Sequence, residues 1–151
     1  MTDQPSVTVD VVTDVTEEVV TAAARLIPQL SSSAPAPTIA ELEAVATGPG
    51  SMLFISRRIE GDRPIVGMLT LVIYRIPTGT RAVIEDVVVD GSARGAGAGA
   101  ALVAAALEAA RKAGAHNVDL TSRPSREAAN RLYLRMGFEQ RETNVYRFRQ
   151  P

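Results

Sequence analysis

A valine-rich stretch runs directly into a glycine-rich one past the middle of the chain, and this junction limits what the chain can fold into. Residues 87–107 read VVVDGSARGAGAGAALVAAAL. Consecutive valines are typical of a β-strand, and the alanine-rich run is typical of a buried helix. The glycines between them, Gly95, Gly97 and Gly99, let a bound group approach the backbone without side chains intervening. The junction therefore predicts a strand, a turn and a helix whose N-terminus binds an anion.

The predicted anion site is built mainly from backbone. The first N–H groups of a helix have no intrahelical acceptor, and the helix dipole places partial positive charge at the same end. A phosphate is the usual ligand of such a site, and Arg94 can add a charge-assisted hydrogen bond. The candidate contacts are consecutive and form what we call the glycine loop: Arg94, Gly95, Ala96, Gly97, Ala98, Gly99 and Ala100. The alternative is that these small residues only let the helix pack closely on a sheet.

The distribution of charge favours an anionic ligand in the C-terminal half. Residues 1–80 carry five basic and nine acidic residues, whereas residues 81–151 carry eleven and eight. The whole chain has a net charge of only −1, so we expect no partnership with nucleic acid or with a membrane. The absence of cysteine excludes disulfides, thiolate metal sites and a covalent cysteine intermediate. The one histidine, His116, is interpreted as a surface residue, and no metal is expected.

Length and termini bound the organisation of the chain. The chain has 151 residues, of which 46% are hydrophobic, so we expect one domain over residues 1–151. The N-terminal sequence MTDQPSVTVDVVTDVTEE lacks a basic segment followed by an apolar one, so no secretory signal is predicted and the expected location is cytoplasmic. The longest uncharged apolar run, Gly95–Leu107, is shorter than the roughly 20 residues that span a bilayer.

Hydrophobic patterning predicts the element order β α α β β β α β α β, a mixed α/β (α+β) sheet with helices on both faces. The predicted strands are Val7–Val12, Met52–Ile59, Pro64–Ile76, Arg81–Asp90, Val118–Thr121 and Asn144–Arg149. The predicted helices are Val15–Leu30, one capped by Thr38 with Glu41 three residues on, one from the glycine loop to near Gly114, and one from a Ser125 cap to Met136. Gly137 is placed to adopt a left-handed conformation after the last helix.

A dinucleotide-binding fold is an alternative interpretation of the glycines. Gly95, Gly97 and Ala100 satisfy the pattern G-x-G-x-x-G/A, and Asp119 lies where a ribose-binding acid could sit. That fold places its glycines directly after the first strand, with most of the sheet still to come. Here three or four predicted strands precede the pattern, so the Rossmann-like interpretation is kept only as the alternative.

Two motifs together resemble the GNAT superfamily of acyl-CoA-dependent N-acetyltransferases. The family signature R/Q-x-x-G-x-G/A is matched by Arg94, Gly97 and Gly99. A second family pattern, A-x-x-L/F-Y-x-x-x-G-F, is matched by Ala129, Leu132, Tyr133, Gly137 and Phe138. The predicted element order also resembles that of the family over nearly the whole chain. The resemblance implies a GNAT-like, mostly antiparallel central sheet in a single acetyltransferase domain.

The resemblance also implies a cosubstrate and the residues that bind it. Acetyl-CoA is the expected acyl donor, and its pantetheine arm would pair like an extra strand with the backbone of Val87, Val88 and Val89. Plain strand core is the other interpretation of these valines, and both can hold because the ligand would use main-chain groups. Many members have an asparagine that contacts this arm seven residues before the motif tyrosine, a place that Arg126 occupies here.

The candidate catalytic residues are Tyr133 and Glu85. Tyr133 resembles the general acid of the family, since a phenol of pKa about 10 can donate a proton to a departing thiolate of pKa about 8.5. Its helical spacing also suits a core tyrosine. Glu85 is the candidate base, acting through water, and Asp86 is a candidate contact to the acceptor. As neighbours on one strand they are expected to point to opposite faces, and a solvated carboxylate is the alternative for Glu85.

The sequence thus predicts transfer of an acetyl group from acetyl-CoA to a primary amine by direct attack. The acceptor would be a small-molecule or peptide amine, and the protein a monomer or a homodimer. Two other classes stay open at this point. One is a dinucleotide-binding Rossmann-like protein, and the other is a catalytically silent CoA-binding domain.

Overall fold

The computed structural model describes residues 6–151, and these form two compact units, one that extends to Thr121 and one from Ser122 to Pro151. The first five residues lie outside the described residues. They include the start of the N-terminal stretch for which no secretory signal is predicted. The strands are β1 (Val7–Val11), β2 (Ser51–Arg58), β3 (Ile65–Ile76), β4 (Gly79–Val89) and β5 (Val118–Asp119). The helices are α1 (Glu17–Leu30), α2 (Ile39–Thr47), α3 (Ala98–Lys112) and α4 (Glu127–Arg135).

The first unit contains one sheet, whose strands lie in the order β1-β2-β3-β4-β5. Each neighbouring pair from β1 to β4 is antiparallel, and β5 pairs parallel to β4. Residues 59–64 join β2 to β3, and a tight turn at residues 77–78 joins β3 to β4. Gly61 in the first connection and Gly79 at the start of β4 have positive φ, 66° and 133°. The predicted mixed, mostly antiparallel fold class is therefore confirmed.

Helices cover both faces of this sheet. Buried residues of α1 share one apolar cluster with Leu42 of α2 and with Leu53 and Ile55 of β2. Helix α3 packs on the opposite face, where Ala98 clusters with Val7 and Val66. Each helix supplies an apolar face because its small or aliphatic residues recur at helical spacing. The site described below lies where β4 leaves the sheet and α3 begins.

The two helices on the first face begin at threonine caps. The hydroxyl of Thr16 accepts a hydrogen bond from the N–H of Val19, which starts α1. At α2 the hydroxyl of Thr38 accepts from the N–H of Glu41, and the carboxylate of Glu41 accepts from the N–H of Thr38. This reciprocal pair is the predicted capping box.

The structure corrects two predictions near the C-terminus. Helix α4 is not capped by Ser125, because the N–H of Arg126 donates to the carbonyl of Arg123 (3.0 Å) and this turn moves the helix start to Glu127. The predicted strand Asn144–Arg149 is also wrong, since residues 139–151 form no strand. Alternating side chains indicate a strand, but its backbone needs a neighbouring strand to pair with. The order agrees with prediction through α4, and the single domain stays a prediction.

Candidate active site

The glycine loop begins one turn after the end of β4. A short 3-10 turn, Gly91–Ala93, precedes it, and the N-cap position of α3 is Gly97. Gly95 and Gly97 have φ values of 86° and 77°, in the left-handed region that glycine adopts most easily. As a glycine, Gly97 has no side chain with which to cap the helix. The N–H groups of the first turn of α3 therefore have no side-chain acceptor from the N-cap residue, and anion binding there stays a prediction.

The helix end of the loop is held by packing, while the space beside its two left-handed glycines is open. Ala98 is 1% exposed and clusters with Val7 and Val66, so the first turn of α3 is fixed on the sheet. A Cβ atom built on Gly95 or Gly97 would meet no other atom within 4 Å. These two glycines are thus required by backbone conformation and leave free space beside the loop. Arg94 is exposed next to that space.

The turn Asp90–Ala93, which we call the Asp90 turn, is stabilised by its own hydrogen bonds. The carboxylate of Asp90 accepts from the backbone N–H and the hydroxyl of Ser92, at 3.1 and 3.0 Å. The N–H of Ala93 donates to the carbonyl of Asp90 at 2.9 Å. The contacts from Ser92, together with an ion pair to Arg25, hold the pKa of the Asp90 carboxyl below its usual value although partial burial opposes this. Asp90 therefore stays ionised beside the glycine loop.

One edge of β4 is open within the first unit. Strand β5 pairs with β4 only at Ala82 and Val83. Beyond Val83, the edge of β4 that faces away from β3 has no strand partner in this unit. The open stretch includes Val87, Val88 and Val89, the residues predicted to pair with an extended ligand. An open strand edge offers such a ligand a row of backbone donors and acceptors.

A β-bulge interrupts β4 at Asp86. Thr70 of β3 pairs with Glu85, and Met68 pairs with Val88, so β4 has one residue more than β3 between these two pairs. Asp86 has a φ of 50°, and aspartate is one of the few residues other than glycine that adopt this conformation readily. A bulge leaves the backbone of its extra residue out of the ladder. Unpaired backbone groups therefore lie at Asp86, directly before the valines.

The bulge also changes which side chains share a face. Leu53 pairs with Thr70 and Thr70 pairs with Glu85, so Glu85 lies on the sheet face that carries α1 and α2. Val88, three residues later, belongs to the same face, which simple alternation would forbid. The expectation that Glu85 and Asp86 point to opposite faces assumed a regular strand and does not apply at Asp86. Both carboxylates are exposed.

The second unit positions Tyr133 on α4. Tyr133 is 8% exposed, and its ring contacts that of Phe138 edge-on, with centroids 5.8 Å apart. The helix ends in a tight cap: the N–H of Phe138 donates to the carbonyl of Tyr133 (3.0 Å), and the N–H of Gly137 donates to that of Leu134 (3.1 Å). Gly137 has the predicted left-handed φ, at 96°. This cap folds Phe138 back against the tyrosine ring.

Burial raises the pKa of the Tyr133 phenol, and the positive charge of Arg126 offsets part of that increase. The phenol is therefore protonated at neutral pH and above. Arg126 is the N-cap residue of α4, with no side-chain capping bond, and is itself exposed. The two residues predicted on this helix thus influence each other electrostatically within one unit.

The predicted site residues divide between the two units. The acidic pair, the three valines and the glycine loop follow one another along β4 and into α3, whereas Tyr133 and Arg126 lie on α4. Sequence reasoning missed the bulge, whose one signal is an aspartate inside an apolar strand. It also missed Arg25 and its contact to Asp90, since nothing in the sequence links residues 65 positions apart.

No group of three histidine, aspartate or glutamate side chains within residues 6–151 is arranged to hold a metal ion. Likewise, none of the helices that the structure describes is long and apolar enough to cross a membrane.

Comparison with known proteins gives consistent matches. Residues 17–138 match the model of the acetyltransferase (GNAT) family. A crystal structure of an acetyltransferase from Trypanosoma brucei is 28% identical, with a TM-score of 0.74, and the match covers 94% of this chain and 99% of that one. A putative acetyltransferase from Agrobacterium tumefaciens is 27% identical, with a TM-score of 0.73, and the match covers 95% of this chain and 99% of that one. The search of curated proteins found no match.

A more distant structure supports the fold alone. An aminoglycoside acetyltransferase from an uncultured soil metagenomic sample, solved in complex with sisomicin, is 16% identical with a TM-score of 0.80 and covers 97% of each chain. The dinucleotide alternative is not favoured, because the glycine loop follows the fourth strand of a mostly antiparallel sheet. With the family model matching most of the sequence, the chain belongs to the GNAT family of acetyltransferases.

Proposed function

We propose that this acetyltransferase transfers the acetyl group of acetyl-CoA to a primary amine of a small molecule or peptide. The observation that carries the proposal is the left-handed glycine loop at the uncapped N-terminus of α3. A backbone anion site directly after an open strand edge suits a long ligand that has phosphates at one end and amide groups along its length. Coenzyme A has both.

The binding mode follows from these two features. The pyrophosphate would lie against the N–H groups of the glycine loop, with Arg94 adding charge. The pantetheine amides would pair with the main chain at Val87, Val88 and Val89, which explains how apolar side chains can serve a polar ligand. Arg126 is proposed as a further contact to the cosubstrate.

The chemistry is proposed as one direct transfer. The lone pair of a neutral amine attacks the thioester carbonyl, a C–N bond forms, and the C–S bond breaks. The amine loses a proton through water to Glu85, and the departing thiolate takes a proton from Tyr133. Backbone N–H groups at the Asp86 bulge would stabilise negative charge on the carbonyl oxygen.

The raised pKa of Tyr133 supports its role as proton donor. A phenol that stays protonated at neutral pH can give its proton to a thiolate, whereas an ionised phenolate could not. Asp86 is proposed to contact the acceptor amine, since it is exposed beside Glu85. A cytoplasmic location, a monomeric or homodimeric state and the absence of a metal are the remaining parts of the proposal.

Calorimetry tests the proposal at the level of binding. Acetyl-CoA and CoA should bind the purified protein, while NAD should release no heat under the same conditions. Binding of NAD without binding of CoA would contradict the proposal. A panel of primary amines with detection of the released thiol then separates an acetyltransferase from a silent CoA-binding domain, because only the enzyme consumes acetyl-CoA in step with the amine.

A further inference from the structure

Two side chains of α1 contact the Asp90 turn from the sheet face opposite to α3. The Nε atom of Arg25 donates to the carboxylate of Asp90 at 3.2 Å. One turn later along the helix, the side-chain oxygen of Gln29 accepts from the N–H of Gly91 at 2.9 Å. Both contacts reach the first two residues of the Asp90 turn, which leads into the glycine loop. Helix α1 is therefore tied to the turn that leads into the proposed phosphate site.

The guanidinium of Arg25 also fixes the turn relative to the sheet. Its second nitrogen, Nη2, donates to the backbone carbonyl of Ile65, the first residue of β3. The adjoining residue, Val66, accepts a hydrogen bond from the N–H of Asp90 at 2.7 Å. Arg25 thus bridges the start of β3 and the end of β4 with two nitrogens of one planar group, a fixed donor geometry that the ammonium of a lysine lacks.

The glycine loop depends on such anchors because its own residues supply little rigidity. Gly95 and Gly97 have no side chains and meet no neighbours at the Cβ position. Between them only Ala96 is held, by a hydrogen bond from the Ser6 hydroxyl to its carbonyl and by contact with the apolar cluster of Val7 and Val66. The remaining support comes from the two ends of the loop. Burial of Ala98 fixes the helix end. The other end is fixed by the Asp90 turn, and a preorganised site binds more tightly because less ordering is required on binding.

We propose that Arg25 and Gln29 are positioning residues that preorganise the glycine loop for its phosphate ligand. This inference rests on the proposed function, since it assumes that the loop binds CoA. Because the Arg25 side chain is 45% exposed, its ion pair adds little to global stability. Its main effect is then on the loop, and removing it should change cosubstrate affinity more than folding.

The test replaces Arg25 and Gln29 singly by methionine, a residue of comparable length with no hydrogen-bonding head group. We expect Arg25→Met and Gln29→Met each to raise the Kd for CoA about tenfold, the size of one hydrogen bond in binding free energy. The KM for acetyl-CoA should rise with it, while kcat at saturating acetyl-CoA stays unchanged. Hydrogen exchange at the N–H of Gly91 should also accelerate in Gln29→Met, which reports the lost contact directly.

Arg57→Met is the matched control. Arg57 forms a two-point ion pair with Glu18, which also lies on α1, at 2.6 and 2.9 Å. Its recorded contacts, to Glu18 and Arg63, do not include the Asp90 turn. A general loosening of α1 would therefore appear in this variant too, whereas loss of loop positioning would not.

The outcomes separate the two proposals. Folded Arg25→Met and Gln29→Met proteins with wild-type Kd for CoA would overturn the positioning role and leave CoA binding intact. An equal loss of affinity in Arg57→Met would also overturn it, since the effect would then be general. A wild-type protein that does not bind CoA would instead overturn the proposed function itself.

Discussion

At the residue scale, Tyr133 combines a structural and a chemical position. Its ring packs edge-on against Phe138, and the cap of α4 holds that contact through the backbone. Burial raises the pKa of its hydroxyl, which keeps a proton ready for transfer. Tyr133 can therefore be a packed core residue and a general acid at once. The two roles can be distinguished by a substitution that removes the hydroxyl and keeps the ring.

Tyr133→Phe makes that separation. We expect kcat to fall by about 100-fold or more, since general acid catalysis contributes roughly 10²- to 10⁴-fold, while the Kd for CoA and the Tm change little. Single-turnover rates should accompany the assay so that chemistry is the step measured. Tyr146→Phe is the control, because Tyr146 is 88% exposed in the same unit and should show wild-type rates. Unchanged kcat in Tyr133→Phe would leave this tyrosine as core alone.

At the element scale, the two ends of α3 use glycine in the same way for different purposes. Gly97 at the N-terminus has a φ of 77°, and Gly114 after the C-terminus has a φ of 79°. Neither would bring an added Cβ atom within 4 Å of a neighbour. Gly114 donates its N–H to the carbonyl of Arg111 and so ends the helix. The N-terminal glycine instead leaves helix donors open toward solvent.

This symmetry provides a matched pair of substitutions, Gly97→Glu and Gly114→Glu. Each forces a glutamate into a left-handed conformation, at a cost of about 1–2 kcal/mol, so both should lower the Tm to a similar extent. Only Gly97→Glu places a carboxylate in the proposed phosphate site, and we expect it to weaken CoA binding more than about 100-fold by calorimetry. Equal CoA affinity in the two folded variants would show that the loop does not hold phosphate.

At the scale of the whole molecule, a sheet between two helical layers carries the glycine loop, while α4 belongs to a second compact unit. Ile55 is central to the first apolar cluster and is 4% exposed. The family match extends over residues 17–138 and so runs from the first unit through α4 of the second. A single cooperative domain would require them to unfold together.

Scanning calorimetry of Ile55→Ala tests this expectation. The substitution leaves a cavity between β2 and the helices and should lower the free energy of unfolding by about 3 kcal/mol. In a single domain one transition moves as a whole to lower temperature. Ile39→Ala, at a position that is 50% exposed, should leave the transition nearly unmoved. Two transitions, with only one shifted by Ile55→Ala, would contradict the single-domain prediction.

Local patterns in the sequence determined most elements of this protein. The capping box at Thr38, the left-handed Gly137 and the strand-loop-helix junction at the glycine loop depend on residues within a few positions of one another. Their conformations follow from short-range sterics and hydrogen bonds, so the residue types alone predict them. The two acetyltransferase motifs could be identified for the same reason, because each lies on one helix and one adjoining turn, before α3 for the first and after α4 for the second.

Only the tertiary structure decided the features that depend on a distant partner. The bulge at Asp86 exists because β3 pairs with β4 on both sides of one extra residue, and a single strand cannot show that register. The segment 144–149 alternates like a strand yet forms none, since side-chain alternation does not provide a pairing edge. Arg25 meets Asp90 across 65 residues of sequence because the sheet brings the two together. Such contacts are set by chain packing, for which local sequence carries no signal.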